Sequence, residues 1–533
     1  MLKLANVRVA LDDDRSLQEI AANKLKISVQ DIKELSILRK SLDARRKDNI
    51  GFVYNIVLDV FEQQSVVKKN ARNADLTVWT KEAFPPVVYG KKAVNGKIVI
   101  VGAGPAGLIC ALTLAKHGYK PVLLERGKAV DERVKDVGSF WQSGKLAVDS
   151  NIQFGAGGAG TFSDGKLTYR VNDPISQLIL QWFVAAGAPG DIVYEHKPHI
   201  GTDMLRTMVK NITAEIVAHK GEIYYSSLVE DLTIENCCIN SVQLIDKAKL
   251  DCGVLVLAIG HSARDTYQML YKKGLALQAK PFSLGVRIEH PQEYIDRAQY
   301  GALAGHQKLG PADYALVYHD KVNKHSAYSF CMCPGGVVVA SASGEGEVVT
   351  NGMSTRKRNS GVANAALVVG VNSSDFGEHP LAGIEFQQQW ERLAFRKAGG
   401  NYCAPSQTVG SFLAGTKPVL GELLKASYRP GVLPVDLREV LPSFVTDTLA
   451  AGLVDFGRKL KDFDHKEALL TGVETRTSAP VRIVRSKDTR EAVGMKGIYP
   501  IGEGAGYAGG IMSAAIDGYY TALAIMKEYR QPI

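Results

Sequence analysis

Residues 97–127 read KIVIVGAGPAGLICALTLAKHGYKPVLLERG, and this stretch decides the fold. After Lys97, residues Ile98 to Val101 are all β-branched, which suits a buried parallel strand. Gly102, Gly104 and Gly107 follow at GxGxxG spacing. The first permits the tight turn out of the strand, the second lets a diphosphate approach the backbone, and the third lets the next helix pack close to the sheet. Pro105 and Ala106 open that helix, predicted over Pro105 to His117, whose free N–H groups and dipole favour negative charge. A second strand, Pro121 to Leu124, ends at Glu125, followed by Arg126. A carboxylate about 20 residues past the glycines can accept both ribose hydroxyls of an adenosine. GAGGAG (Gly155 to Gly160) and GAGYAG (Gly504 to Gly509) satisfy the same spacing, but only the first site has strand, helix, strand and acid in order.

Working outward, the length of 533 residues suggests about three domains by the length rule. Hydrophobic residues at 46% and charged residues at 22% fit a soluble globular protein. A net charge of +9 is too thin over this length to argue for nucleic acid or a membrane surface. The seven cysteines are scattered, with no CxxC pair, so a reduced cytoplasmic compartment is expected and no zinc or iron–sulfur site. The N-terminus meets three acids before any apolar run, and Ile98 to Ala115 is broken by glycines and a proline. No signal peptide and no membrane span are therefore expected.

Residues 1–92 read as a small α+β module, with strands at Val7–Leu11 and Phe52–Phe61 and helices at Leu17–Leu25 and Val29–Leu42. Lys33, Arg39, Lys40, Arg45, Arg46 and Lys47 stand there against Glu34 and Asp43. Such a basic face can meet RNA, a phosphorylated cofactor or an acidic partner, but without interleaved aromatics a solvated surface is the better reading. Phe84-Pro85-Pro86 and GKKAVNGK form a linker into the nucleotide strand.

After a helix over Lys128–Gly144 comes FGAGGAGTFSDGKLTYR, Phe154 to Arg170. So many small residues cannot build a core; Gly157 and Gly158 suit backbone approach to a flat or charged ligand. Thr161, Ser163, Asp164 and Lys166 are the polar side chains on offer. Helices are predicted at Ile175–Gly187 and Asp203–Lys220, and strands at Glu222–Ser226, Leu228–Glu235 and Ser241–Ile245. DCGVLVLAIGHSARD, Asp251 to Asp265, is a buried strand beside the first βαβ unit, turning at Gly260. His261, Ser262 and Arg264 then sit at the carboxyl edge of the sheet, where ligands of open α/β folds bind.

From Pro281 the pattern becomes short alternating runs (FSLGVRIEHP, YALVYHD, AYSFCMCP, GGVVVASAS), which predict a largely antiparallel sheet inserted at residues 281–475. Helices are expected at Phe386–Lys397, Gly421–Lys425, Leu437–Leu441 and Ser443–Lys461. Finally GIYPIGEGAGYAGGIMSAAIDGYYTALAIM, Gly497 to Met526, is a strand ending at Gly502-Glu503 and a helix beginning near Ile511, after Gly509-Gly510.

These features together resemble the FAD domain of glutathione-reductase-like flavoproteins. More closely, GGAGTFSDGKL, LAIGHSARD, CMCPGG, VETRTSAPVRI and GEGAGYAGGI resemble a family of FAD-dependent dehydrogenases with an extra N-terminal module. The resemblance covers nearly the whole chain. It implies an α/β fold: a glutathione-reductase-like FAD-binding Rossmann domain (93–280 and 476–533), an inserted β-rich substrate domain (281–475) and the N-terminal α+β module (1–92). It implies FAD, with Gly102, Gly104 and Gly107 on the diphosphate, Glu125 and Arg126 at the adenosine ribose, and Glu503 on the ribityl side, where the family more often has Asp.

If FAD is bound, the flavin does the hydride or electron transfer and the protein orients it and excludes water. Arg476 is a candidate to clamp a substrate carboxylate or to stabilise anionic reduced flavin; its structural alternative is a salt bridge to Glu474 or another acid. Cys331 and Cys333 are either a redox dithiol or small apolar wall residues. A second NAD(P) domain is missing, so NAD(P)H is expected at most as a transient donor. The favoured expectation is an FAD-dependent oxidoreductase acting on a small organic molecule. The alternative is a flavoprotein whose N-terminal module binds RNA or another macromolecule.

Overall fold

The computed structural model describes the chain except residues 82, 85, 169–172, 322, 323 and 533. Pro85 of the linker and the Tyr169-Arg170 end of the glycine-rich stretch lie outside the described residues.

Strand Lys97–Val101 runs parallel to Pro121–Leu124 on one side and to Lys249–Leu257 on the other. Glu222–Tyr224 extends the sheet beyond Pro121–Leu124, and Ile498–Pro500 pairs with the far side of Lys249–Leu257, both again parallel. Ile98, Val99, Ile100, Leu255 and Ile498 are buried, as expected of strands covered on both faces. The hairpin Val229–Glu235 and Cys238–Leu244 adds antiparallel to the start of Lys249–Leu257. All the parallel strands thus deliver their carboxyl ends to one edge, where Gly102, Gly260 and Gly502 turn the chain with φ of 105°, 72° and 72°.

Helix Pro105–Lys116 lies under that edge with the C-terminal helix Ile511–Glu528 against it. Their backbones touch: a Cβ at Gly518 would lie 2.2 Å from the Ala106 carbonyl oxygen.

The chain leaves this domain at Leu277–Ala279 and returns at Val481–Ile483, two short strands that pair antiparallel as a neck. Between them stands a seven-stranded sheet in the order Val317–His319, Ser326–Cys333, Val362–Val371, Phe282–Pro291, Leu469–Glu474, Ala404–Thr408, Val432–Pro434. It is antiparallel except for its last pair. Leu284, Val286, Ile288, Leu367 and Val369 form its core with Leu449, Leu453 and Phe456 of helix Ser443–Lys459.

At the N-terminus, four antiparallel strands stand in the order Ile32–Asp43, Gly51–Val60, Leu2–Ala10, Leu76–Val78, with helix Leu17–Leu25 beside them. The helix expected at Val29–Leu42 is instead a strand, Ile32–Asp43, preceded by one 3₁₀ turn, Val29–Asp31. Pairing with Gly51–Val60 overrides helical propensity there, because it lets Ile32, Leu35 and Ile37 join one apolar cluster. Lys33, Arg39 and Lys40 therefore lie on a strand and Arg45, Arg46 and Lys47 in the turn after it, and part of that strand is already occupied. The Lys40 N–H donates to Tyr194 O and the His196 N–H to Lys40 O, both at 2.8 Å, while Lys40 Nζ pairs with Glu195 at 2.8 Å. Two smaller expectations also change. Gly421–Lys425 is not helical, since Gly421 has φ 67° and the Glu422 N–H is taken by Glu467 Oε2. Leu437–Leu441 shrinks to the 3₁₀ turn Leu437–Glu439.

Candidate functional site

The carboxyl edge of the parallel sheet opens into a cleft of about 380 Å³, within the roughly 300–1,000 Å³ range of small-molecule and cofactor sites. Its walls come from the Gly102–Ala106 turn, Glu125-Arg126, Gly158–Gly160, Ser163–Lys166, Ser227–Val229, Ala258–Ala263, Ile501–Glu503 and Gly509–Ile511. From the insert come Phe330, Cys331, Asn351 and Glu474, and from the segment returning to the first domain Arg476 and Thr477.

The glycines divide into two kinds. Gly102 and Gly107 serve packing: a Cβ would meet Ala258 O at 2.3 Å and Gly102 O at 1.9 Å respectively. Gly104 lies against Gly158, whose own Cβ would be 3.0 Å from the Gly104 Cα. The Gly157 N–H donates to Ala103 O at 2.8 Å, so the second glycine-rich loop lies backbone to backbone on the first. At Gly260, Gly509 and Gly510 a Cβ would meet nothing within 4 Å. These three leave bare backbone facing open space, while Pro105, Ala106 and Ile511 supply apolar lining.

Glu125 is buried and staples these loops together. One carboxylate oxygen accepts from the Ala103 N–H at 2.8 Å, the other from the Gly127 and Gly155 N–H groups at 2.9 Å. A carboxylate has about four lone-pair positions, so acceptor capacity remains for a hydroxyl. Arg126 is clamped between Asp149 (2.9 Å) and Asp265 (2.8 Å), above the Phe154 ring at 4.2 Å.

Three of the expected ligand residues, Gly107, Gly157 and Thr161, stand behind the wall rather than in it; Thr161 Oγ1 donates to Ala156 O. Ser163 and Asp164 line the cleft, but the Ser163 hydroxyl bonds Gly160 O and Asp164 is ion-paired with Arg358. Gly502 donates its N–H to Asp517 Oδ2 at 2.7 Å. Glu503 lies in the wall, where burial pushes its carboxyl up to about 7 against the pull of the Lys280 charge.

Arg476 also lines the cleft, yet its guanidinium is committed. Nη2 reaches Glu347 at 2.9 Å and Glu391 at 2.8 Å, Nε reaches Glu391 at 3.1 Å, and Nη1 bonds the Ser262 and Ser343 hydroxyls. Arg264 grips the same two acids, at 3.0 Å and 2.8 Å. The salt-bridge alternative describes Arg476, and the acids are Glu347 and Glu391 rather than Glu474. His261 sits beside this cluster. Burial, then the Arg476 and Arg264 charges, hold its imidazole down at about 3, so it is neutral.

Several residues of the site gave no sequence signal. Fully buried Arg133 threads the glycine loop, donating to the carbonyls of Asn151, Ile152, Gly155, Ala156 and Gly158 at 2.7 to 3.3 Å. Asp517 fixes the Gly502 turn and is itself held by Arg485 at 2.7 Å. Beneath Cys331, Arg287 takes both oxygens of Glu474 at 2.7 Å.

An elongated cleft crossed by bare glycine backbone, with a helix N-terminus at Pro105 and another at Ile511, fits a dinucleotide whose diphosphate lies over the sheet edge. The fold and cleft define a dinucleotide-binding protein of the Rossmann class. The comparisons agree. Residues 281–477 match the model "FAD-dependent protein, C-terminal domain-like" and residues 100–130 an NAD(P)-binding Rossmann-like domain. Residues 1–59 match a domain of unknown function. An uncharacterised protein of Clostridium beijerinckii is 45% identical over 537 residues, covering 100% of this chain and 99% of that one. The chain belongs to the same family as this protein, one of FAD-dependent proteins, and its cofactor is FAD. Over 80 residues it is also 38% identical to the NADPH-Fe(3+) oxidoreductase subunit beta of Geobacter sulfurreducens, 15% of this chain and 10% of that one. Among solved structures, glycine oxidase from Bacillus cereus (12% identity, TM-score 0.33, 82% of this chain and 99% of that one) is similar. So is L-proline dehydrogenase from P. horikoshii (11%, TM-score 0.35, 83% and 96%); both likenesses are too distant to carry an argument. Among the described residues, no group of His, Cys, Asp and Glu could hold a metal ion, and no helix is long and apolar enough to cross a membrane.

Proposed function

We propose that this protein is a dehydrogenase or reductase that moves a hydride or electron pair between FAD and a small organic molecule or NAD(P)H. The supporting observation is that one cleft is lined both by the adenosine-type carboxylate Glu125 and by Phe330, Cys331 and Glu474 of the insert. Bound FAD supplies two-electron chemistry, and the protein supplies place and exclusion.

In this reading Gly102, Gly104 and the helix N-terminus at Pro105 hold the diphosphate, and Glu125 accepts from the adenosine ribose. Glu503 accepts from the ribityl hydroxyls, and Gly509, Gly510 and Ile511 approach the ring. Arg133 fixes the shape of the loop that carries Gly158. The insert closes the reacting end against water. The glutathione-reductase-like subtype is proposed from the order of the parallel strands, with domains at 1–92, 93–280, 281–475 and 476–533. Without a second strand–GxGxxG–helix unit among the described residues, NAD(P)H is proposed to bind transiently against the insert. The free cysteines suit a reducing cytoplasm.

The test is anaerobic mixing of the yellow holoprotein with NADH, NADPH and a panel of small reductants while flavin absorbance is followed. Bleaching by a member of the panel supports the reading. A protein that neither retains nor rebinds FAD overturns it.

A further inference from the structure

We propose that Cys331 and Cys333 form a dithiol–disulfide couple at the insert wall of the cleft, and that the substrates it serves are disulfides and the thiols they yield. This deepens the oxidoreductase reading above and rests on it.

The two cysteines end strand Ser326–Cys333, whose pairing with Val362–Val371 slips between Phe330 and Cys333. In a regular strand, residues two apart are separated by about 6.6 Å, near the limit a disulfide can span. Here Cys331 takes φ 45°, which bends the strand between the two sulfurs. Cys331 lines the cleft and Cys333 is fully buried behind it. The Cys333 thiol donates to Cys331 O at 3.3 Å, and the two side chains are close enough for each to shift the other's ionisation.

A third residue completes the pair. Lys166 lines the same cleft, and its ammonium nitrogen is buried without a hydrogen-bond partner. Asp164 is 3.7 Å away and already ion-paired with Arg358. A buried ammonium is costly unless an anion balances it. Asp164 supplies one anion, shared with Arg358, and a thiolate at Cys331, which lines the same cleft as Lys166, would supply a second. Arg287 adds a second cation, donating to Cys331 O at 3.1 Å. The hydrogen bond from Cys333, with the Lys166 and Arg287 charges, outweighs burial and holds the Cys331 thiol well below its ordinary range. The same bond and burial push Cys333 well above it. An accessible thiolate in front of a buried, protonated thiol is the division of labour that thiol–disulfide exchange needs.

The Cys331 thiolate attacks one sulfur of R–S–S–R′, forming a mixed disulfide and expelling R′–S⁻, which takes the Cys333 proton. Cys333 sulfur then attacks Cys331 sulfur and expels R–S⁻, leaving a Cys331–Cys333 disulfide. Two electrons have passed from the couple to the substrate. A two-electron donor, either reduced flavin or a small dithiol, returns them with one proton and restores thiolate and thiol.

The experiment is an anaerobic dithionite titration of holoprotein first oxidised with bis(2-hydroxyethyl) disulfide. With excess reagent removed, the wild type should consume two electron pairs per flavin and Cys331→Ser one, while Cys333→Ser should retain Cys331 as a mixed disulfide with the reagent's thiol. Peptide mapping of the oxidised wild type should show the peptide bearing both cysteines lighter by two hydrogens. In Lys166→Met, alkylation of Cys331 by iodoacetamide at pH 6 should slow about tenfold, the effect of raising a thiol by one pKa unit. One electron pair per wild-type flavin, with both thiols still open to alkylation after oxidation, overturns the couple and leaves the flavin reading standing. A protein that binds no FAD overturns the flavin reading, while the mapped disulfide still decides the couple.

Discussion

Glu391 and Arg476 meet at the junction of insert and nucleotide domain through two hydrogen bonds, Oε2 to Nη2 at 2.8 Å and Oε1 to Nε at 3.1 Å. Arg264 holds the other side of the same carboxylate, also at 2.8 Å, and Glu347 neutralises the second guanidinium.

Breaking a buried ion pair by removing one partner costs about 3–5 kcal/mol, because the remaining charge is left uncompensated. Glu391→Leu should therefore lower the thermal midpoint strongly, and Glu391→Gln less. Burial would raise the Glu391 carboxyl, but Arg264 and Arg476 hold it well below the usual range. A depressed carboxyl contributes stability that is complete above its unfolded value and is lost only as pH falls through the folded one. The wild-type-to-Gln difference in melting temperature should thus be flat from pH 8 to pH 5 and shrink only in stronger acid. A difference that shrinks across neutral pH would count against this assignment.

Gly104 and Gly107 should separate cofactor binding from folding. A methyl at Gly104 meets only the Gly158 Cα, at 3.9 Å, whereas one at Gly107 lies 1.9 Å from Gly102 O. Gly104→Ala should fold with near wild-type circular dichroism and lose FAD affinity at least about tenfold, a cost of about 1.4 kcal/mol. Gly107→Ala should accumulate as aggregate. Equal behaviour of the two would show that the glycines share one role.

Arg133 donates to carbonyls through all three guanidinium nitrogens, a fork that an ammonium cannot reproduce. Burial lowers it to about 9, so it remains charged at neutral pH. Arg133→Lys should shed FAD on dilution and expose the 151–158 loop to protease. Wild-type proteolysis rates would refute the claim that this side chain shapes the loop.

Glu503 should make the cofactor-free protein pH-sensitive. Its carboxyl is raised by burial to about 7, so between the ordinary carboxylate range and pH 7 the folded state binds more protons than the unfolded one. Stability from this group is present at low pH and lost as pH rises through about 7. With its place on the cleft wall taken into account, the loss is about 1–2 kcal/mol. Glu503→Gln should therefore gain relative to wild type between pH 6 and pH 8 in the absence of FAD. A constant offset across that range would show that the group is not buried as described.

What could be read before the structure was what local chemistry dictates. The glycines at 102, 104 and 107, the strand turning at Gly260 and the Gly502-Glu503 turn each carry their backbone requirement in adjacent letters. Arg133 was invisible because its partners are carbonyl oxygens, which every residue has. Glu347 and Glu391 were missed as partners of Arg264 and Arg476 because only the fold of the insert brings them together. The strand Ile32–Asp43 was misread as a helix because its pairing with Gly51–Val60, not its own propensity, decides its state.

The contact between Gly518 and Ala106 has a consequence for biosynthesis. Strand Ile498–Pro500 and helix Ile511–Glu528 leave the ribosome after the whole insert, so a nascent chain cannot complete the pocket until the insert has been made. Until Ile498–Pro500 is made, Leu255 to Leu257 keep one unpaired apolar edge, and flavin loading waits for that last strand and helix.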